Sequence, residues 1–265
     1  MNPIFYLCIC FTSGIAGINH ASSGLNEKSN RMIKAYISFY LKNYLRSHRY
    51  LRELILIILF NIIFSGFLYT SKPEDMVWTV FGVFGILLTM VSVPSIFFLE
   101  KGHSLHFGLI YPNGRRNFFL AKYLLILGID FLWIVLFTGL YGLKFMDADY
   151  FKGWLVRLFL MLLLMGLSVA LLSFSFTYRP SVSWLILILI VFGGIVNKSA
   201  LFPIHSVKEI YAPFTFILPP ILEIIYGGVT LEFPLWRSVF LVLALIQLGI
   251  FLFFNLKLMS KKDLV

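Results

Sequence analysis

Charge and cysteine are both scarce in this chain. Only 13% of its 265 residues are charged, and Cys8 and Cys10 are its only cysteines. Without a second pair, these two cannot complete a four-ligand metal site, so we interpret them as incidental. A phosphate-binding loop is missing as well, because the nearest match, FGGIVNKS, has Asn197 where the motif requires a glycine before the lysine. We therefore expect no metal site, and no ATP bound by that loop, in this chain.

Apolar residues, in contrast, make up 60% of the chain, and 29 of them are phenylalanines. A helix needs about 20 mainly apolar residues to cross a bilayer. Six such stretches occur, and they are too long and too uniformly apolar for the alternating strands of a barrel. The predicted fold class is all-α, a polytopic membrane protein with six transmembrane helices. The predicted spans are 54–70, 77–99, 118–141, 154–177, 183–200 and 236–256.

The formal charge of +10 is distributed unevenly between the loops. Most of the 22 Lys and Arg residues precede the first span, follow the sixth, or lie in the loops after the second and fourth. The positive-inside rule then predicts that both termini and the 100–116 loop face the cytoplasm. The membrane is expected to be the inner membrane of the cell. Basicity here indicates topology and contact with membrane lipids, and we expect no nucleic-acid partner.

Two segments outside the spans have distinct patterns. Residues 1–31 are apolar but lack the positive start of a signal peptide. They are interpreted as a membrane-dipping segment, a cleaved leader, or sequence upstream of a true start at Met32. Residues 33–51 have helical periodicity, with Lys42, Arg46 and Arg49 opposite an apolar arc. This pattern predicts an amphipathic helix lying on the membrane surface.

Residues 201–235 are apolar but interrupted by five prolines. Such a segment is too short and too broken to span a bilayer. It is able to dip part-way into the outer leaflet if neighbouring helices cover its backbone. We therefore predict outer re-entrant short helices between spans five and six, with a surface hairpin of short helices as the alternative.

Asp130 is the most unusual single residue, because it lies near the middle of the third span. An ionisable group at that depth costs several kcal/mol unless it is paired or hydrated, so Asp130 must face the bundle or a cavity. It is predicted either to act in a substrate pathway or to be a structural carboxylate bonded to Asn61 or Ser168. Lys122, two turns earlier, is expected to extend to the lipid headgroups.

No catalytic set is recognisable at membrane depth. An embedded hydrolase needs a nucleophile with a base, or paired carboxylates with histidines. Asp130 stands alone among the predicted spans, and the histidines lie in loops. His103 and His106 have a spacing that shares one helix face, but no carboxylate or cysteine completes a ligand set beside them. We therefore predict no catalytic residue and no metal in this chain.

The loop after the second span has a recognisable order of residues. Glu100 ends the span, an amphipathic segment covers 101–110, Pro112 precedes Arg115 and Arg116, and Ala121 with Lys122 opens the third span. This order resembles the first cytoplasmic loop of ABC-2 type permeases, the membrane subunits of one class of ATP-binding-cassette exporters. The amphipathic lead-in, the proline-broken segment and the ending KLMSKKDLV resemble that family too. The resemblance covers residues 32–265 as one transmembrane permease domain, and residues 1–31 and the two loop histidines depart from it.

The resemblance implies a transporter subunit that is not itself an enzyme. ATP and Mg would be bound by a separate ATP-binding-cassette ATPase, and a second permease copy or a paralogue would complete a dimer. The loop would dock in a groove of the ATPase and couple ATP hydrolysis to export. The residues implied in that coupling are Glu100, Lys101, His103, Pro112, Arg115 and Arg116, and Asp130 and Asn61 are the polar groups implied inside the membrane. A membrane-embedded enzyme acting on lipid or peptide and a non-transporting scaffold remain the alternatives.

Overall fold

The computed structural model describes residues 31–68, 75–97, 114–145, 148–199, 201 and 212–261. Every regular element in these ranges is a helix. Residues 31–46 form α1. The other helices are α2 Tyr50–Ile63, α3 Ser65–Leu68, α4 Val77–Phe97, α5 Gly114–Phe145, α6 Ala148–Phe151, α7 Trp154–Thr177, α8 Ser183–Ile195, α9 Ile221–Thr230 and α10 Leu235–Lys261, with short 3₁₀ helices at Pro180–Val182 and Ala212–Ile217.

Four helices, α4, α5, α7 and α10, are long and apolar enough to cross a membrane by length and composition. Their positions agree with the second, third, fourth and sixth predicted spans. The first and fifth predicted spans form α2 and α8, which have 14 and 13 residues. At a rise of about 1.5 Å per residue, each of these is about 20 Å long, which is short of the hydrocarbon thickness. An all-helical membrane protein is therefore confirmed, with four candidate spans in the part of the chain described.

The α7 helix forms the centre of the bundle and packs against α4, α5, α8, α9 and α10. Its side chains are apolar on all sides, which is typical of a helix surrounded by protein. Small residues on its surface allow close approach of neighbours. At Gly166, for example, the Tyr123 hydroxyl of α5 donates to the backbone carbonyl at 3.1 Å. Most of α7 beyond its first turns is therefore buried by the helices that pack around it.

The short α9 helix is buried in the bundle, packed against α4 and α7. Ile221, Ile224 and Ile225 are almost fully inaccessible to solvent. The helix follows two prolines and ends at Leu231, whose backbone is left-handed with φ 53°. Beside it lies Gly153 with φ 121°, where any Cβ would overlap the Leu231 side chain. The proline-rich segment therefore does contain a short helix, and that helix belongs to the core.

A sharp break separates α1 from α2, where the sequence predicts one helix over 33–51. The N–H of Arg49 donates to the Tyr44 carbonyl at 3.3 Å, and the N–H of His48 donates to the Leu45 carbonyl at 3.1 Å. With His48 at φ 53°, this is a Schellman termination, which requires one left-handed residue. Tyr40 and Tyr44 on α1 are buried. The apolar face of α1 is therefore covered at least partly by the protein itself.

Candidate functional site

Asp130 lies in a buried polar cluster that joins three helices. The Ser92 hydroxyl on α4 lies 2.6 Å from Asp130 Oδ1 on α5 and 3.1 Å from Glu53 Oε1 on α2. The other oxygen of Glu53 accepts a hydrogen bond of 3.1 Å from the Trp133 indole N–H. Glu53, Ser92 and Asp130 are each 0% exposed. We call Glu53, Ser92, Asp130 and Trp133 the carboxylate cluster.

Local sequence explains how each group reaches the cluster. Asp130 and Trp133 are three residues apart on α5, so their side chains share one helix face. On α4, the small polar residues Thr89, Ser92 and Ser95 recur every third position, and all three are fully buried. Glu53 lies in the first turn of α2, where the helix dipole favours a negative charge. The cluster therefore forms where the polar stripe of α4 meets one acidic residue from each neighbouring helix.

Two polar atoms at the cluster lack hydrogen-bond partners among the described residues. They are Oδ2 of Asp130 and the hydroxyl of Tyr44, and both atoms are buried. Burial raises the pKa of the Tyr44 phenol, and the neighbouring Glu53 and Asp130 carboxyls raise it further. The hydroxyl thus stays protonated close to both carboxyls, although it makes no hydrogen bond of normal geometry. Tyr44 is therefore a spare donor directed at the cluster.

The charge of the cluster is not balanced by a basic side chain in the described ranges. In the described ranges, Arg157 forms an ion pair with Asp75, and neither residue belongs to the cluster. Arg49, one turn before Glu53, donates instead to the backbone carbonyl of Ser95. Within the described part of the chain, neither Glu53 nor Asp130 therefore forms an ion pair with a Lys or Arg.

A cavity of about 430 Å³ lies beside the cluster, between α2, α3, α4 and α5. Trp133 lies at one end of the α5 wall and Lys144 at the other, eleven residues or about 16 Å along the helix. The lining is mostly apolar, with Asn61 among the few polar groups. The lining residues are Ile57, Asn61, Leu68, Phe84, Trp133, Leu136, Phe137, Leu140, Tyr141 and Lys144. The Trp133 indole therefore stands between the cavity and Glu53.

The two partners predicted for Asp130 are wrong. Asn61 donates to the Ile57 carbonyl at 3.0 Å, and Ser168 donates to the Leu164 carbonyl at 2.9 Å, so each bonds within its own helix. Asp130 is paired with Ser92 and, through it, with Glu53. The sequence did not identify Glu53 as a partner of Asp130, because Glu53 immediately precedes the predicted first span and therefore counts as a loop residue. Its position four residues after Arg49, at the start of an apolar run, was the signal available.

Lys122 does not extend to a membrane surface, contrary to the sequence-based expectation. It is only 2% exposed. Its ammonium lies 4.5 Å from the ring centre of Phe118, 5.1 Å from that of Phe97 and 5.4 Å from that of Tyr40. It also donates to the Phe97 carbonyl at 3.5 Å. These rings stabilise a buried cation and connect α1, α4 and α5.

Of the residues predicted to contact an ATPase, Glu100, Lys101, His103 and Pro112 lie outside the described residues. Arg115 and Arg116 form the first turn of α5, where the helix dipole disfavours a positive charge. Arg115 donates to the backbone carbonyl of Ser260 at 3.4 Å, in the last turn of α10, where the dipole favours a cation. The loop therefore ends at a contact between α5 and the C-terminal end of α10.

No protein-family model and no curated protein sequence matches this chain. The resemblance to ABC-2 permeases consequently depends on the loop, the three other similar segments and the predicted topology. In the described ranges, no three His, Cys, Asp or Glu residues are grouped so as to hold a metal ion.

Proposed function

We propose that this protein is the permease subunit of an ABC-2 type exporter, which couples ATP hydrolysis by a separate ATPase to export. The observation that carries the proposal is the continuity of α5. This helix has 32 residues, so it is about 48 Å long, and it exceeds the hydrocarbon thickness of about 30 Å. It begins with Arg115 and Arg116, at the end of the ABC-2-like loop, and it carries Asp130 in the bundle. A push on the loop would therefore move one rigid element that extends to the carboxylate cluster.

The proposed topology has six crossings in the inner membrane, with both termini cytoplasmic. In it, α2 with α3 makes the first crossing and α8 the fifth, α1 lies at the cytoplasmic interface, and α9 is the re-entrant helix. The excess of Lys and Arg on one side supports this orientation. Burial of α9 against α4 and α7 supports the re-entrant assignment, because non-helical backbone at membrane depth must be covered by protein.

The proposed partners are an ATP-binding-cassette ATPase, which would supply the ATP and Mg sites, and a second permease copy or a paralogue. The apolar lining of the cavity suits a hydrophobic substrate, such as a lipid, a hydrophobic drug or an apolar peptide. Asn61 and Lys144 are the lining groups able to orient a polar end of such a molecule.

The test is co-purification of the chain with the ATPase encoded by its neighbouring genes. We expect a stable complex whose ATP hydrolysis responds to transport, and we expect Glu100→Ala and Arg115→Ala to release the ATPase or uncouple hydrolysis. Arg179→Ala is the matched control, since Arg179 is exposed and lies in another loop of the same proposed side. Absence of an ATPase from every preparation, or equal coupling in all three variants, would contradict the proposal.

One observation favours a second candidate, a membrane-embedded enzyme. Glu53 and Asp130 supply the paired carboxylates that sequence analysis did not find. However, Ser92 fills the space between them, and the cluster has no exposed face for a substrate. In an enzyme, Glu53→Gln or Asp130→Asn would abolish turnover of a lipid or peptide while assembly is retained. An effect on assembly alone would instead support a scaffold.

A further inference from the structure

The carboxylate cluster contains fewer hydroxyl hydrogens than its contacts require. The Ser92 hydroxyl has one hydrogen, which it is able to donate to a single acceptor at a time. Yet its oxygen lies within hydrogen-bonding distance of both Asp130 Oδ1 and Glu53 Oε1. With both carboxyls ionised, one of these two contacts would place a carboxylate oxygen against a lone pair. A second hydrogen, carried by one of the carboxyls, removes that conflict.

We propose that Glu53, Ser92 and Asp130 form a proton-binding site in which the two carboxyls hold one exchangeable proton between them. The ligand is a proton taken from water. This site is separate from the ATPase-coupling role and does not depend on the exporter assignment. In the occupied state, one carboxyl donates to Ser92, and Ser92 donates to the other carboxyl.

The surroundings assign the proton to Asp130. Glu53 receives the Trp133 N–H at 3.1 Å as well as the Ser92 contact, so donors are present at both of its oxygens. Asp130 has Ser92 at one oxygen, and its Oδ2 has no partner among the described residues. A neutral carbonyl oxygen costs less to leave unpaired in a buried site than a charged one. The 2.6 Å contact is then a hydrogen bond from Asp130 to Ser92, and the 3.1 Å contact one from Ser92 to Glu53.

The environment makes occupancy by one proton the stable state. Glu53 and Asp130 both contact the Ser92 oxygen. Repulsion between two negative charges this close disfavours ionisation of both carboxyls, and burial disfavours it further. The groups that face the pair from the surrounding helices are Ser92 on α4, Trp133 on α5 and Tyr44 on α1. Arg52 directly precedes Glu53 in sequence but is exposed. Arg49 is bonded to the Ser95 carbonyl, and neither carboxyl forms an ion pair in the described ranges.

Tyr44 is the observation independent of the carboxyls that points to a ligand. Its side chain is 3% exposed, and its hydroxyl makes no hydrogen bond of normal geometry in the described ranges. The hydroxyl is directed at Glu53, and Asp130 is a second, weaker acidic neighbour of it. If the shared proton leaves, the phenol is a ready donor to the carboxyl that becomes charged. Ser92 therefore bridges the two carboxyls when the proton is bound, and Tyr44 is the additional donor when the proton has left.

Proton binding at this site is also linked to helix packing. The occupied site connects α2, α4 and α5 through one oxygen atom. Loss of the proton would place two negative charges on either side of that atom and separate α2 from α5. The bound proton therefore stabilises the closed arrangement of these helices.

The experiment is infrared spectroscopy of the purified full-length chain in lipid nanodiscs, in light and heavy water. At neutral pH we expect a carbonyl band of a protonated carboxyl that shifts in heavy water. Asp130→Asn should abolish this band. Glu53→Gln should lower the pH at which the band disappears, because it removes the neighbouring negative charge. The matched control is Glu223→Gln, which alters the other fully buried carboxyl in the described ranges and should leave the band in place.

Three results would overturn the proposal: no protonated-carboxyl band at neutral pH, a band that survives Asp130→Asn and Glu53→Gln unchanged, or a band lost in Glu223→Gln instead. Ser92→Ala provides a second variant if Asp130→Asn does not fold. It keeps both carboxyls and removes their bridge, so it should shift the frequency of the band. An unshifted band in Ser92→Ala would also count against a proton shared through Ser92. Because no ATPase or transport assay is involved, the outcome is independent of the exporter proposal.

Discussion

Thr177 and Asn255 join the central helix α7 to the last helix α10 by a buried hydrogen bond of 2.7 Å. The Thr177 hydroxyl donates to Asn255 Oδ1, and Asn255 Nδ2 donates to the Ala170 carbonyl at 2.8 Å. The asparagine amide therefore uses both its acceptor and its donor on the same neighbouring helix. Along an otherwise apolar interface, such a polar contact fixes the position of one helix relative to the other.

We expect Asn255→Leu to destabilise the bundle by about 1 to 2 kcal/mol, since interhelical hydrogen bonds in membranes contribute about 0.6 kcal/mol on average. The loss is limited because the freed Thr177 hydroxyl is able to donate instead to the Phe174 carbonyl, 3.1 Å away in its own helix. The measurement is the thermal unfolding midpoint in detergent. Ser260→Ala is the control, since that hydroxyl bonds only Lys257 within α10. Equal midpoints for the two variants would show that the Asn255 contacts contribute nothing.

Sequence patterns predicted the long helices well because length and composition decide them. The predicted 154–177 and the observed Trp154–Thr177 coincide, and the predicted 77–99 begins with α4 at Val77 and agrees with it through Phe97, the last residue described there. The patterns failed at α1 and α2, where hydropathy does not register a left-handed residue such as His48. Apolar periodicity continued through that position, although the helix did not.

The candidate site was only half predictable. Depth in an apolar span was sufficient to predict that Asp130 is buried, and it is 0% exposed. Its partners were not predictable, because Glu53 and Ser92 are 77 and 38 positions away along the chain and meet it only once three helices have packed. The same limit applies to Lys122, whose rings come from three separate helices.

Arg157 and Asp75 should contribute unequally to stability. They form an ion pair of 2.6 Å in which Arg157 is 7% exposed and Asp75 70% exposed. The guanidinium also stacks 5.0 Å from the ring centre of Trp78. We expect Asp75→Ala to cost below about 1 kcal/mol, as for exposed ion pairs, and Arg157→Ala to cost more because packing and the cation–π contact are lost. Denaturant midpoints of both variants check this, and an equal loss would contradict it.

The stability of the protein should depend more on the charge of Lys122 than on the charge of Lys144. Three rings surround the Lys122 ammonium, whereas Lys144 is exposed, lies 4.9 Å from the ring centre of Phe145 and donates to the Leu68 carbonyl at 3.3 Å. Lys122→Met keeps most of the volume but removes the cation, so we expect a loss of about 1 to 2 kcal/mol from the cation–π contacts. Lys144→Met is the matched variant and should change stability by less than about 0.5 kcal/mol. The comparison is made by thermal unfolding, and a greater loss for Lys144→Met would refute the role of the rings.

Gly193 and Gly194 provide the sharpest test of the packing between α8 and the segment before α9. A Cβ on Gly193 would lie under 3.0 Å from the Pro219 carbonyl oxygen, a backbone atom that cannot rotate away. On Gly194, the nearest atom to a Cβ is Ile221 Cγ2 at 3.8 Å, an ordinary contact.

We expect Gly193→Ala to destabilise the protein by about 1 to 3 kcal/mol through overpacking. Gly194→Ala should be neutral or should stabilise the helix by up to about 1 kcal/mol, because alanine has the higher helix propensity. Unfolding of both variants under the same conditions measures the difference, and a Gly193→Ala variant as stable as Gly194→Ala would mean that α8 and Pro219 are not in contact.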